Sequence, residues 1–232
     1  MKYLVSLLAG VLVGISLFVA VLIHNPFMAD RRLSPISVTD AQVMSLSYAN
    51  VPSESIVFTN DGESRQPPHP AKVLQLWEAP IRLTSMMTSV MRDARGQTAG
   101  IGVKFSSRSE RTRLLNGEAL VDSAWYIYLP GRGSLFIEQS ENYFPFIREV
   151  AFPAWRSSAN NWKGTWLGDM TAGPGALGTA RVTGGTGTYK GLETDGVESL
   201  SARAYSADEG LVSAEGRLLI ELPSIVADDA SQ

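Results

Sequence analysis

Four carboxylates, Asp169, Glu193, Asp195 and Glu198, are the chain's candidates for acid–base chemistry. Paired carboxyl groups divide the roles of acid and base when their surroundings separate their pKa values. On turns and strand ends the same residues are ordinary solvated charges. Tyr126, Tyr128, Tyr189 and Arg203 are suited to a polar head group, and equally to plain barrel packing. Cysteine is absent and the only histidines are His24 and His69. Disulfides, thiolate metal sites and a cysteine nucleophile are therefore excluded, and a histidine zinc site is not expected. No Gly-x-Ser-x-Gly elbow occurs, and the glycine-rich run 182–191 lacks the Gly-Lys-Ser/Thr ending of a phosphate loop. No catalytic residue, metal or cofactor is assigned.

The elements that would position such groups are mostly strands. Leu177, Thr179 and Arg181 alternate with Gly178, Ala180 and Val182, and Val197–Tyr205 and Val212–Leu222 alternate again. Period two marks half-buried strands. Gly184, Gly185, Gly187 and Gly191 lie between these runs, where the chain must end a strand, turn and restart. Val43–Tyr48, Ser55–Thr59 and Thr98–Phe105 read as strands, and Ala119–Leu129 with Ser134–Gln139 as a hairpin about Pro130–Gly133. Asn60–Pro70 reads as a loop holding an exposed His69. Ala71–Ala94 fits either an interrupted helix or two strands. Its methionine and leucine cluster is core, or lines a pocket for an apolar ligand. Arg108–Arg113 reads as a solvated hairpin end, or as a contact for lipid phosphate or an acidic partner.

Tyr143, Phe144, Phe146, Phe152, Trp155, Trp162 and Trp166 crowd an irregular segment carrying Pro145 and Pro153. The segment is read as a barrel plug, a membrane-surface contact or a partner-binding face. At the other end of the chain, Tyr3–Ile23 holds no charge and has close to the length that spans a bilayer, about 20 residues. The alternative is a cleaved signal peptide, but the apolar run is long and no clear cleavage site follows. An anchor is expected, its N-terminus in the cytoplasm by Lys2 and the terminal amine, against the opposing pull of Arg31 and Arg32. Ser6, Gly10 and Gly14, four apart, would let another helix approach. The net charge of −3 gives no case for nucleic acid.

At Gly184-Gly185-Thr186-Gly187-Thr188-Tyr189-Lys190-Gly191 the chain resembles the allene oxide cyclase and dirigent group of β-barrels. That group has a similar Gly-Gly-Thr-Gly-aromatic-x-Gly turn between late strands. The resemblance covers roughly the last quarter of the chain. It implies a mainly β fold, an antiparallel barrel of about eight strands whose interior can hold one small ligand. It also implies action on, or orientation of, hydrophobic molecules.

The expected organisation is an anchor over 1–24, a tether over 25–36, a barrel over 37–224 and a disordered acidic tail over 225–232. The expected job is that of a non-catalytic accessory or assembly subunit of an integral membrane complex. It would sit in the periplasm or another extracytoplasmic space, docked through the helix and the aromatic segment and lying close to the bilayer. The alternatives are a binding protein for a lipophilic small molecule, and an isomerase or cyclase acting on one.

Overall fold

The computed structural model describes residues 2–24, 42–49, 56–60, 63–64 and 84–223. The tether 25–36, His69, the tail 225–232 and all of Ala71–Ala94 before Thr84 lie outside the described residues. In chain order the elements are α1 (Lys2–His24), β1 (Gln42–Ala49), β2 (Ile56–Asn60), β3 (Glu63–Ser64), β4 (Thr84–Arg92), β5 (Thr98–Arg108), β6 (Leu120–Leu129) and β7 (Gly133–Asn142). A helical plug follows, made of an α turn (Phe144–Phe146), a π turn (Ile147–Ala151) and a further α turn (Phe152–Arg156). Then come β8 (Asn161–Asp169), β9 (Thr171–Gly173), β10 (Ala180–Gly185), β11 (Thr194–Ser206) and β12 (Gly210–Leu222).

Eight strands close an antiparallel barrel in the order β1-β12-β11-β10-β7-β6-β5-β4. Closure is made where Ser47 of β1 lies opposite Arg92 of β4. β8 extends β11, β9 pairs the end of β7, and β2 pairs the first part of β4. Closure leaves these eight strands few open edges.

The barrel has two unlike ends. Gln42 opposes Leu222 at one end, which also holds the β4–β5, β6–β7 and β10–β11 turns. This is the tether end, because β1 enters there. The plug leaves β7 at the opposite end. Toward the tether end the interior is filled by Met44, Leu46, Met91, Trp125, Ile127, Leu129, Leu135, Ile137, Leu218 and Ile220, all buried. Toward the plug end lies a second core of Phe146, Val150, Trp166, Met170, Leu200, Ala202 and Ala214.

The plug corrects the expectation that Tyr143–Trp166 is irregular. Pro145 is the second residue of the first turn, where a missing N–H breaks no helical bond, and Pro153 is the second residue of the last turn, directly after the π turn. Asn142 Oδ1 accepts from the Phe144 N–H at 3.0 Å and starts the segment. Phe146 and Val150, four residues apart, face the second core, and Ala154, four further on, is buried too. Phe146 meets Trp166 edge-on at 5.3 Å and Tyr205 at 5.6 Å. Trp162 and Trp166 are not part of the plug but belong to β8.

α1 is helical over 23 residues, about 35 Å at 1.5 Å per residue. Among the described residues no helix is long and apolar enough to cross a membrane.

Candidate functional site: a buried ion network

Between the two apolar cores lies a polar layer. Inward positions alternate along each strand, and at one level they change from apolar to polar. Tyr48 follows Met44 and Leu46 on β1; Lys104 follows Gly100 and Gly102 on β5. Ser123 precedes Trp125 and Ile127 on β6, and Gln139 and Glu141 follow Leu135 and Ile137 on β7. Glu198 lies inward of β11 beside Leu218 of β12. Glu141 is fully buried and Glu198 is 1% exposed.

The layer is a closed network. Lys104 Nζ donates to Glu198 Oε1 at 2.9 Å and Oε2 at 3.0 Å, and lies 2.8 Å from Glu141 Oε1. The Trp125 indole N–H donates to Glu198 Oε2 at 3.1 Å, and Tyr48 O–H and Gln139 Nε2 also donate to Glu198. Glu141 accepts from Ser123 O–H, from Gln139 Nε2 at 3.2 Å and from Tyr143 O–H at 3.0 Å. Tyr143 belongs to the start of the plug, so the network ties the plug to the barrel wall. Gln139 Oε1 is buried without a hydrogen-bond partner.

Two glycines make room for it. A Cβ on Gly216 would stand 1.9 Å from Tyr48 Cζ, and one on Gly102 would stand 2.9 Å from the Trp125 ring. Without a side chain there, Tyr48 lies across β12 to reach Glu198, and its ring stands 5.1 Å from that of Trp125.

The electrostatics follow from burial set against partners. Burial alone pushes Lys104 down, but the Glu141 and Glu198 carboxylates outweigh it and hold the ammonium above its ordinary value. Burial pushes Glu198 up, but Lys104, Tyr48 and Gln139 outweigh it and hold the carboxyl below its ordinary range. Burial, then the charge of Glu198, raises Tyr48 well above an ordinary tyrosine; burial, then Glu141, does the same for Tyr143. Lys104 is thus held as a cation between two carboxylates. Glu198 is a fixed acceptor, and the two tyrosines are fixed donors.

Of the four carboxylates singled out in the sequence, only Glu198 enters this site. Asp169 and Glu193 are exposed outer residues, and Glu193 and Asp195 together line an open cleft of about 400 Å³ with Arg181 and Glu221. Glu198, read from the sequence either as an acid–base candidate or as a solvated charge on a turn or strand end, stands in the interior. Tyr126, Tyr128 and Arg203 face outward, and Tyr189 is buried with the Arg132 guanidinium over its ring. Lys104, Glu141, Gln139 and Tyr48 were not singled out. Their signal was the strand phase: Leu135, Ile137, Gln139 and Glu141 share one face of β7.

In the glycine turn, Gly184, Gly187 and Gly191 have φ of +145°, +61° and +72°. Gly185 is held by close approach, since a Cβ there would meet Ser134 O at 2.2 Å. Within the aromatic segment Phe144, Phe146 and Trp166 are buried, Tyr143, Phe152 and Trp162 are half-buried, and Trp155 is 67% exposed. In α1, an added Cβ on Gly10 or Gly14 would meet nothing within 4 Å among the described residues.

A second cleft, of about 410 Å³, opens on the outer wall over Phe105, Asp122, Ala124 and Ser140. Arg111 bridges Asp122 at 2.6 Å there. Burial raises the Asp122 carboxyl, but hydrogen bonds from Ser140, Ser109 and Arg111 outweigh it and hold it low. Among the described residues no group of three or more His, Cys, Asp or Glu side chains is placed to hold a metal ion.

No family model matches the chain, and no curated protein matches it. Among solved structures, the chain is similar to that of a pterocarpan synthase dirigent protein, 10% identical, with 79% of this chain and 85% of that one covered and a TM-score of 0.36. At that score the likeness carries no argument, and the barrel described above rests on its own strand pairing.

Proposed function

We propose that this protein is a membrane-anchored barrel module that works by contact and performs no chemistry, as an accessory or assembly subunit of an integral membrane complex. The observation that carries this reading is the filled interior. Trp125, Ile127, Leu135, Ile137, Leu218 and Ile220 occupy one half, the plug occupies the other, and the polar groups between them are turned on one another. Both clefts open on the outside of the barrel. In the proposal α1 spans the bilayer, with its length and apolar sequence in support, and Ser6, Gly10 and Gly14 pack against a partner helix. The barrel stands on the extracytoplasmic side. The exposed apolar residues around the plug, Trp155 and Leu167, meet the partner's outer domain.

Native mass spectrometry of the full chain from mild detergent is the test. A co-purifying membrane protein is expected. Gly10→Ile with Gly14→Ile, or Trp155→Ser with Leu167→Ser, should release it while circular dichroism stays unchanged. A chain that elutes without protein partners would overturn the reading.

The buried carboxylates favour a second reading, an isomerase or cyclase for a lipophilic molecule admitted by displacement of the plug. Glu198 would then serve as the proton acceptor. A bound lipid in the same spectrum, at higher occupancy in the folded Tyr143→Phe chain, is the result expected of that reading.

A further inference from the structure

The outer wall of the barrel is two-sided. On β4–β7 the outward residues align in rows across the strands. Val90, Ile101 and Tyr128 form the row nearest the tether end; Thr88, Val103, Tyr126 and Phe136 form the next. Phe105 and Ala124 follow, opposite Met86 and Glu138. The first two rows carry no charge. Ile101 is 52% exposed, Tyr128 48% and Phe136 41%. The opposite wall, on β10–β12, presents Arg181, Asp195, Arg203, Glu215, Arg217 and Glu221 in the equivalent outward positions. Apolar surface of this extent, rimmed by polar residues, marks an interaction site.

What fits it is set by its surroundings. Along the wall the rows turn polar toward the plug end, where Ser107, Asp122 and Ser140 stand. At the tether end the turns of the same four strands carry Arg92, Arg95 and Arg132, all exposed. The one acid in those turns is Asp93, whose Oδ1 accepts from the Arg95 and Gln97 backbone N–H groups at 2.9 and 2.8 Å. The order from the tether end is therefore arginine, then tyrosine and aliphatic rows, then polar residues. Arginines beside amphipathic aromatic rings suit an anionic bilayer surface, with guanidinium groups at the phosphates and rings among the first acyl carbons. Residues 25–41, 17 in all, join α1 to this end. Their reach of at most about 60 Å keeps the wall within touching distance of the membrane that holds α1.

We propose that the β4–β7 wall, led by its three arginines, lies against anionic lipid, so that the barrel is seated on the bilayer and not merely tethered above it. This rests on the anchored reading of α1, and the test separates the two. The chain has no cysteine, so single substitutions label cleanly. Ile101→Cys, Arg203→Cys and Leu12→Cys in the full chain, each carrying a small fluorophore, are placed in phosphatidylcholine vesicles with phosphatidylglycerol. Quenching by doxyl lipid is compared with quenching by aqueous iodide.

The Ile101 label should be quenched several-fold more by lipid than the Arg203 label, and protected from iodide. Combining Arg92→Glu, Arg95→Glu and Arg132→Glu, or omitting phosphatidylglycerol, should reverse this while the Leu12 label stays in lipid. A Leu12 label in lipid with an Ile101 label open to iodide overturns the seating and leaves the anchor standing. An Ile101 label shielded from both quenchers means a second copy or another protein covers the wall, and also overturns it. A Leu12 label outside the lipid overturns the anchor alone if Ile101 is still quenched by doxyl lipid, and both if it is not.

Discussion

A buried charge is costly, and replacing a buried ion pair by apolar side chains of similar volume is often neutral or stabilising. The Lys104–Glu141–Glu198 layer is therefore weak evidence for stability as such and better evidence for register. It joins residues from β1, β5, β6, β7 and β11 with Tyr143 of the plug, so only one seating of the plug satisfies every donor. Removing one partner is a different matter, because the rest stay buried. Glu198→Gln leaves the Lys104 ammonium short of a counter-charge and should destabilise the fold by about 3–5 kcal/mol, read as a lower urea midpoint. Glu193→Gln, on an exposed side chain, should move it by no more than about 0.5 kcal/mol. Lys104→Met should also be costly. The double variant should cost less than the sum, with a coupling of about 0.5–3 kcal/mol. Equal effects of Glu198→Gln and Glu193→Gln would mean that the layer is hydrated and open.

At the scale of elements, the strands were legible because period two survives in single runs, from Val43–Tyr48 to Val212–Leu222. The hairpin about Pro130–Gly133 and the glycine turn were legible because few residues adopt positive φ. The plug was legible as a role but not as a helix, because Pro145 and Pro153 lie eight residues apart and such prolines normally end helices, whereas here each is the second residue of a turn. The ion layer was hidden for another reason: a strand's phase shows which side chains share a face, but not which faces meet around a closed barrel. Glu198 was visible as an acid; its hydrogen-bond partners lie 59 to 150 residues away in the chain, and only register brings them together. The turn supports a graded prediction. Gly187→Ala combines φ of +61° with a Cβ 2.5 Å from Arg132 O, whereas Gly191→Ala, at +72°, meets nothing within 4 Å. Gly191→Ala should therefore lower stability by about 1 kcal/mol and Gly187→Ala by more, with Gly191→Asn milder than Gly191→Ala. Thermal midpoints in that order are expected, and a Gly187→Ala protein as stable as wild type would refute this account of the turn.

For the whole molecule, the same layer should shape stability against pH. With a net charge of −3, general self-repulsion is small near neutrality, so specific buried groups dominate the profile there. Glu198 is held below its unfolded value. The folded state thus binds fewer protons than the unfolded one in the carboxylate range. The stability from Glu198 is complete above an unfolded glutamate pKa of about 4.3, and is lost as pH falls toward the folded value. Lys104 is held above its unfolded value, so its contribution is complete below about pH 10.4 and is lost as pH rises through the folded value. Tyr48 and Tyr143 are also raised, and add to the loss above about pH 10. A plateau bounded by an acid fall and an alkaline fall is expected in urea midpoints measured across pH. Glu198→Gln should lower the plateau and flatten its acid edge, since the variant has no proton to bind there. The alkaline edge should persist in that variant, because Glu141 still faces both Lys104 and Tyr143. An acid edge of unchanged slope would place the titrating group elsewhere in the fold.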